Sequence, residues 1–248
     1  MKLTGLTSVC LLCSLLILSS NAVCAQSSAE DSILYQKAVY NAIGLYHQEV
    51  GDQSGLFNGS QYGAYPFPFE ENGFVFFNNP KPGIGTVTYD GILYENVQLQ
   101  FDEVQEVVIM QDSSRRIQLL NPRIQAFSLF NNNFVRIIKD SSSRVLPKTG
   151  FYNLLYAGKT LLYKREEKTI REEVGRTEVV RFIDVSRNYY VQKNNQWFSV
   201  KGKNGILDVF EDRKKELRQF IRKNNLSYKK DRDNMLAKVT AYYDQLTR

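Results

Sequence analysis

The chain has 248 residues, 43% hydrophobic and 12% aromatic, with 32 basic against 26 acidic side chains and a net charge of +6. That length and aromatic content suit a chain with an ordinary hydrophobic core and exclude wholesale disorder. Its only cysteines are Cys10, Cys13 and Cys24 and its only histidine is His47, which excludes multi-His or Cys-rich zinc sites and a Cys nucleophile with a His base in anything after residue 25.

Residues 1–25 read as a secretory signal peptide. Lys2 precedes the run "LTSVCLLCSLLILSS", shorter than the roughly twenty apolar residues of a membrane-spanning helix. In "NAVCAQ", Val23 and Ala25 hold the small-residue positions of a cleavage site. The alternative is a lipoprotein signal modified at Cys24, for which Val23 and Asn21 are a poor context. The mature protein is thus expected to start at Gln26, to use no disulfides, and to be periplasmic or extracellular without a transmembrane segment.

Residues 26–82 are expected to hold a helix and an irregular connection. From Ser28 to about Val50, Ile33, Leu34, Val39, Ala42, Ile43 and Tyr46 recur at three- and four-residue spacing, an amphipathic pattern ending near Gly51. His47 falls at its end without a G-x-S-x-G partner motif, so it reads as a helix-end residue and not a catalytic one. The following "GDQSGLFNGSQYGAYPFPFEENGFVFFNNPKP" is rich in Gly, Asn, Pro and aromatics, predicting a packed loop with a short strand at Phe74–Phe77.

Residues 83–200 switch to a period of two. In "NVQLQFD", Val97, Leu99 and Phe101 share one face and Gln98, Gln100 and Asp102 the other, predicting one buried and one wet face. Turn signals at Asp90-Gly91, Ser113-Ser114, Asn131-Asn132-Asn133, Ala157-Gly158-Lys159 and Lys193-Asn194-Asn195-Gln196 separate β-rich runs. An antiparallel meander closed as a barrel or sandwich follows, since short strands must hide their edges. "KREEKTIREE", residues 164–173, is too charged for a core and predicts a hairpin reaching into solvent.

Residues 201–248 carry 13 basic and 7 acidic side chains, the whole excess charge of the chain. Two helices are predicted. In residues 210–223, Phe210, Leu217, Phe220 and Ile221 form the apolar face, with Glu211 and Lys215 paired on the wet side. Asn224-Asn225 is the stop. In the second helix Met235, Leu236, Val239, Tyr242, Tyr243 and Leu246 face inward. Lys215, Arg218 and Arg222 are the candidate anion-contacting residues. Their interleaving with acids, and the burial of the aromatics, argue for a solvated, anion-attracting face packed on the β domain and against specific nucleic-acid recognition.

"LFNGSQY", "VTYDGILYENVQLQFDEVQEVVIMQ", "GFYNLLYAGKTLLYKRE" and the tail from "WFSVKGKNG" onward together resemble a family of uncharacterised secreted proteins of Bacteroidota. Tyr89-Asp90-Gly91 with Tyr94 and Val97, and the Lys-rich turn between the last helices, are its most specific elements. A Gly-His-Pro segment frequent in that family is replaced here by "FPFEENGFVFFNNPKPG". The resemblance implies an envelope protein of helix, β domain and helical tail and carries no activity or catalytic residues. Asp31-Ser32-Ile33 resembles the short O-glycosylation acceptor of that bacterial group, making Ser32 a candidate modification site.

The remaining motifs are weak. Gly83-Ile84-Gly85 leads into a strand and is no dinucleotide fingerprint. Glu70-Glu71, Asp102-Glu103, Glu166-Glu167 and Glu172-Glu173 read as solvated pairs and not a glycosidase's carboxylates. Asp231-Arg232-Asp233-Asn234 lacks the Gly of a calcium loop. The fold expected is α+β, mainly antiparallel β, with an N-terminal helix and a two-helix tail. The function expected is non-enzymatic, cofactor-free binding of a protein or anionic envelope component. The alternative is a periplasmic carrier of an apolar small molecule in a barrel cavity.

Overall fold

The computed structural model describes residues 29–50, 55–112, 115–139, 145, 148–176 and 178–247. The expected signal segment, with Cys24, and the Ser113-Ser114 turn lie outside them. The chain divides into two units, residues 1–43 and 44–248. Helix α1, Ala29–Val50, crosses that boundary. It carries Ser32 and His47, whose side chains are also outside the description. Leu34 and Tyr35 on it are exposed.

Residues 44–248 hold one antiparallel sheet of eleven strands, the described part of the fold being α+β and mostly β. The strands are β1 Ser60–Gln61, β2 Gly83–Tyr89, β3 Ile92–Asp102, β4 Val107–Asp112, β5 Arg115–Gln118, β6 Ile124–Leu129, β7 Asn132–Ile137, β8 Gly150–Ala157, β9 Leu161–Val174, β10 Val179–Lys193 and β11 Gln196–Val200. Their order is β1-β5-β4-β3-β2-β6-β7-β8-β9-β10-β11, so the meander is interrupted twice, where β1 pairs with β5 and not with β2, and where the chain leaves β5 and returns to pair β6 with β2. Two-residue turns close three hairpins at Asp90-Gly91, Phe130-Asn131 and Asn194-Asn195. Both residues of each have positive φ, the backbone that matches the strands' right-handed twist and that Asn, Asp and Gly tolerate.

The sheet is open in its hydrogen bonding and strongly curled. Phe101 of β3 and Phe151 of β8 lie four strands apart in the sheet, yet their rings meet edge to face at 5.7 Å. Phe127 and Phe134 stack at 4.6 Å in the same core. At the far end of β3 the backbone of Lys168 on β9 donates to the Glu103 carbonyl at 3.3 Å, so the β3–β4 turn touches β9 without a continuous ladder. Phenylalanines fill the space the curl encloses.

A second core joins β9–β11 to the tail. The tail has three helices, one more than the spacing predicts: α2 Gly202–Val209, α3 Lys214–Lys223 and α4 Arg232–Leu246. Phe210 ends α2, and a single 3-10 turn, Glu211–Arg213, separates it from α3. That break removes the expected Glu211–Lys215 pairing, and Lys214 bonds Asp208 instead. Leu217, Ile221, Met235, Leu236 and Val239 pack against Leu162, Val191 and Val200 of the sheet. Asn225 stops α3 with φ 51°, as its tolerance of left-handed backbone predicts.

Three sequence expectations fail, two of them because a loop or strand covers a face taken as wet. Gln100 and Asp102 are buried under the returning 62–82 connection. Gln100 donates to the Pro80 carbonyl at 2.7 Å and accepts from Arg116 at 2.8 Å. Phe74–Phe77 forms a single bridge, Phe76 to Asp102, in place of a strand. The charged run 164–173 is not all solvent-exposed: Lys164, Arg165 and Lys168 are buried, and Arg165 is only 1% exposed. Its guanidinium bonds Glu106 at 2.6 Å, approaches Glu167 at 3.3 Å and lies over the Tyr152 ring, so partners replace the water that charge requires. Only the outer half of that run, residues 169–173, projects as expected.

Candidate anion-binding pocket

The loop between α3 and α4, "NLSYKKDR", folds back over β10. Leu226 bonds the Ile221 carbonyl at 3.0 Å, and the Asp231 backbone bonds that of Ser227 at 3.0 Å. Asp231 then caps α4 by accepting from the Asn234 backbone at 3.2 Å, satisfying a donor the first helical turn leaves free. The result is a cavity of about 300 Å³ between the loop and β10.

Arg187 and Tyr189 of β10 form one wall, and Tyr228, Lys229, Lys230 and Arg232, with Asp231 and Asp233 among them, the other. The acids around it are internally committed. Asp233 accepts from the Tyr189 hydroxyl at 2.6 Å and from Lys164 Nζ at 2.7 Å. Burial, then that bond to Asp233, pushes the Tyr189 phenol well up, so it stays a donor. Glu166 takes Arg187 through Nε at 2.7 Å and a terminal nitrogen at 3.3 Å. Lys229, Lys230 and Arg232 have no carboxylate partner among the described residues. The Arg232 guanidinium lies 4.6 Å from the Tyr228 ring centre and 5.7 Å from that of Tyr189, which holds a planar cation in place without neutralising it.

The structure puts Lys215, Arg218 and Arg222 on the exposed side of α3, and none of them lines this cavity. The cations that do come from the same Lys-rich stretch a few residues later, joined by Arg187 from a strand forty residues earlier. Sequence contained the first signal and no trace of the second. Asp102-Glu103, read as solvated, is buried: Glu103 is 5% exposed and lies 3.3 Å from Lys168 Nζ. Burial pushes its carboxyl up to about 7, the charge of Glu166 adds to that push, and Lys168 opposes it. Among the described residues no group of three His, Cys, Asp or Glu side chains is placed to hold a metal ion. No helix among them is long and apolar enough to cross a membrane. No family model, curated protein or solved structure matches the chain.

Proposed function

We propose that the protein is an exported, non-catalytic envelope protein that binds an anionic envelope component at the pocket between β10 and the α3–α4 loop. The observation that carries this reading is the trio Lys229, Lys230 and Arg232, which crowd one cavity whose two acids are engaged elsewhere, Asp233 by Lys164 and Asp231 by the α4 backbone. Their summed field attracts an anion, and the stacked Arg232 gives it a fixed donor. Export is supported by Lys2, the apolar run after it and the "NAVCAQ" site. A non-catalytic role is supported by a residue inventory with one histidine and no cysteine after residue 24. The resemblance to secreted Bacteroidota proteins points the same way. The carrier alternative draws no support from the interior of the curled sheet, which Phe101, Phe127, Phe134 and Phe151 fill.

The test uses a heparin oligosaccharide as a soluble anionic probe, titrated at several salt concentrations. Replacing Lys229, Lys230 and Arg232 together by Gln is expected to weaken binding about tenfold or more and flatten the salt dependence, because each lost contact removes released counterions. The matched variant Lys215→Gln, Arg218→Gln, Arg222→Gln is expected to lose only a few-fold. Equal losses in the two variants would assign the attraction to the tail's general field and not to the pocket.

A further inference from the structure

The connection 62–77 builds a second cavity, of about 200 Å³, none of whose lining residues comes from the cationic loop. Tyr62 continues the β1–β5 pairing by bonding the Arg116 carbonyl at 2.9 Å. "YPFPF" then alternates aromatics with prolines, whose fixed φ stiffens the segment. Tyr65, Phe67 and Phe69 touch one another at ring distances of 5.6–5.9 Å. The chain reverses through Glu71 and Asn72, both at positive φ, and Phe74 and Phe76 return along the opposite wall. Lys168 ties that wall down by donating to the Phe74 and Phe76 carbonyls. The Glu70 backbone bonds that of Arg181 on β10 at 2.8 Å, so the projecting β9–β10 hairpin supports the loop.

Two polar residues, Arg116 and Tyr65, interrupt this apolar lining. Arg116 stacks over Tyr62 at 4.6 Å and Phe76 at 5.3 Å, and no ion pair joins it to a carboxylate among the described residues. A terminal nitrogen bonds the neutral amide of Gln100, while its buried Nε has no partner. The Tyr65 hydroxyl is buried without one as well, near Gln105 and Asp102 but outside hydrogen-bond geometry. Asp102 is largely taken up by other donors: its Oδ1 accepts from the Val104 and Gln105 backbones and its Oδ2 from Tyr62. Buried donors left unpaired are costly in native folds, and here both belong to residues that line one aromatic cavity.

We infer that this cavity binds a small monocarboxylate with a single aromatic ring, its ring among Phe67, Phe69, Phe74 and Phe76 and its carboxylate on Arg116 and Tyr65. An apolar cavity of about 150 Å³ accommodates benzene, so the space here fits a ring with a short acid chain. The ever-charged guanidinium suits a carboxylate, whereas the aromatic walls disfavour a doubly charged phosphate.

Calorimetric titration of the mature protein with 3-phenylpropionate tests the inference against 3-phenyl-1-propanol and acetate. The acid is expected to bind one to one, and the alcohol and acetate at least about tenfold more weakly, the loss typical of a charge-assisted contact or of an aromatic anchor. Tyr65→Phe keeps the wall and is expected to lose several-fold; Arg116→Gln is expected to lose about tenfold or more. Because Arg116 also bonds Gln100, Tyr65→Phe remains the decisive variant if Arg116→Gln unfolds. The triple Gln variant at 229, 230 and 232 is expected to bind the acid unchanged, which separates this site from the cationic pocket. Equal affinity for acid and alcohol, insensitivity to Tyr65→Phe, or loss in the 229/230/232 variant would each overturn the inference.

Discussion

Arg165 shows how a charge becomes part of a core. Its partners Glu106 and Glu167 are about one-fifth and just under one-third exposed, and Lys148 reaches both of them from the surface. Burial works to raise the Glu167 carboxyl, but the bond from Lys148 and the charge of Arg165 win and hold it below the usual range. Arg165→Met is therefore expected to cost about 3 kcal/mol, since it strands half-buried carboxylates. Chemical denaturation measures it, and a change under about 0.5 kcal/mol, the size of an ordinary surface substitution, would show that Lys148 alone suffices. Glu103 gives a pH signature. Folded, it keeps its proton to about 7, against 4.5 for its unperturbed value. Folding thus takes up a proton between those values, so its contribution is present below about 4.5 and is lost as pH rises through 7. The difference amounts to about 1–3 kcal/mol. Glu103→Gln should flatten that part of the stability curve, read from urea midpoints at pH 5 and pH 8. A parallel curve for the variant would refute the raised carboxyl.

At the scale of elements, α3 separates an indispensable face from a dispensable one. Leu217 and Ile221 are buried against α4 and the sheet, and Phe220 stacks on Tyr242 at 4.2 Å. Leu217→Ala should cost about 2–5 kcal/mol as a core truncation. Replacing Lys215, Arg218 and Arg222 by Gln should leave the melting temperature nearly unchanged, because exposed charges contribute little. A comparable drop in both would mean that the helix is held by its charge. For β3 the contrast predicted from alternation changes. Phe101→Ala should cost about 3–5 kcal/mol, and Gln100→Ala about 1–3 kcal/mol, because it leaves Arg116 and the Pro80 carbonyl with lost partners. Denaturant midpoints of the two single variants decide whether the amide bonds carry that weight.

At the scale of the whole molecule, strands pass through both cores: Phe151 of β8 packs in the phenylalanine core while Leu155 and Tyr156 of the same strand pack on the tail. Residues 44–248 are accordingly expected to melt in one cooperative transition. Phe101→Ala and Leu217→Ala should lower that same transition, judged by agreement of calorimetric and van't Hoff enthalpies. Two separable transitions, each sensitive to one variant, would show that the tail and the curled sheet fold independently.

Local chemistry was legible from the chain alone. The hairpin turns at Asp90-Gly91, Asn131 and Asn194-Asn195, the antiparallel class, the Asn225 stop and the apolar faces of α3 and α4 follow from backbone tolerance and hydrophobic period, which act over a few residues. The sequence also located the excess positive charge in the tail. Tertiary structure alone decided what covers what. The alternation in β3 says that Gln100 differs from Phe101, not that a loop from residues 62–82 lies over the amide. The composition of 164–173 says that the run is charged, not that Glu106 and Glu103 from another hairpin wait beside it. Both pockets join residues more than forty positions apart, Arg187 to Lys229 and Tyr65 to Arg116, and such pairings are selected by the curl of the sheet and the return of the loop, which no local pattern encodes.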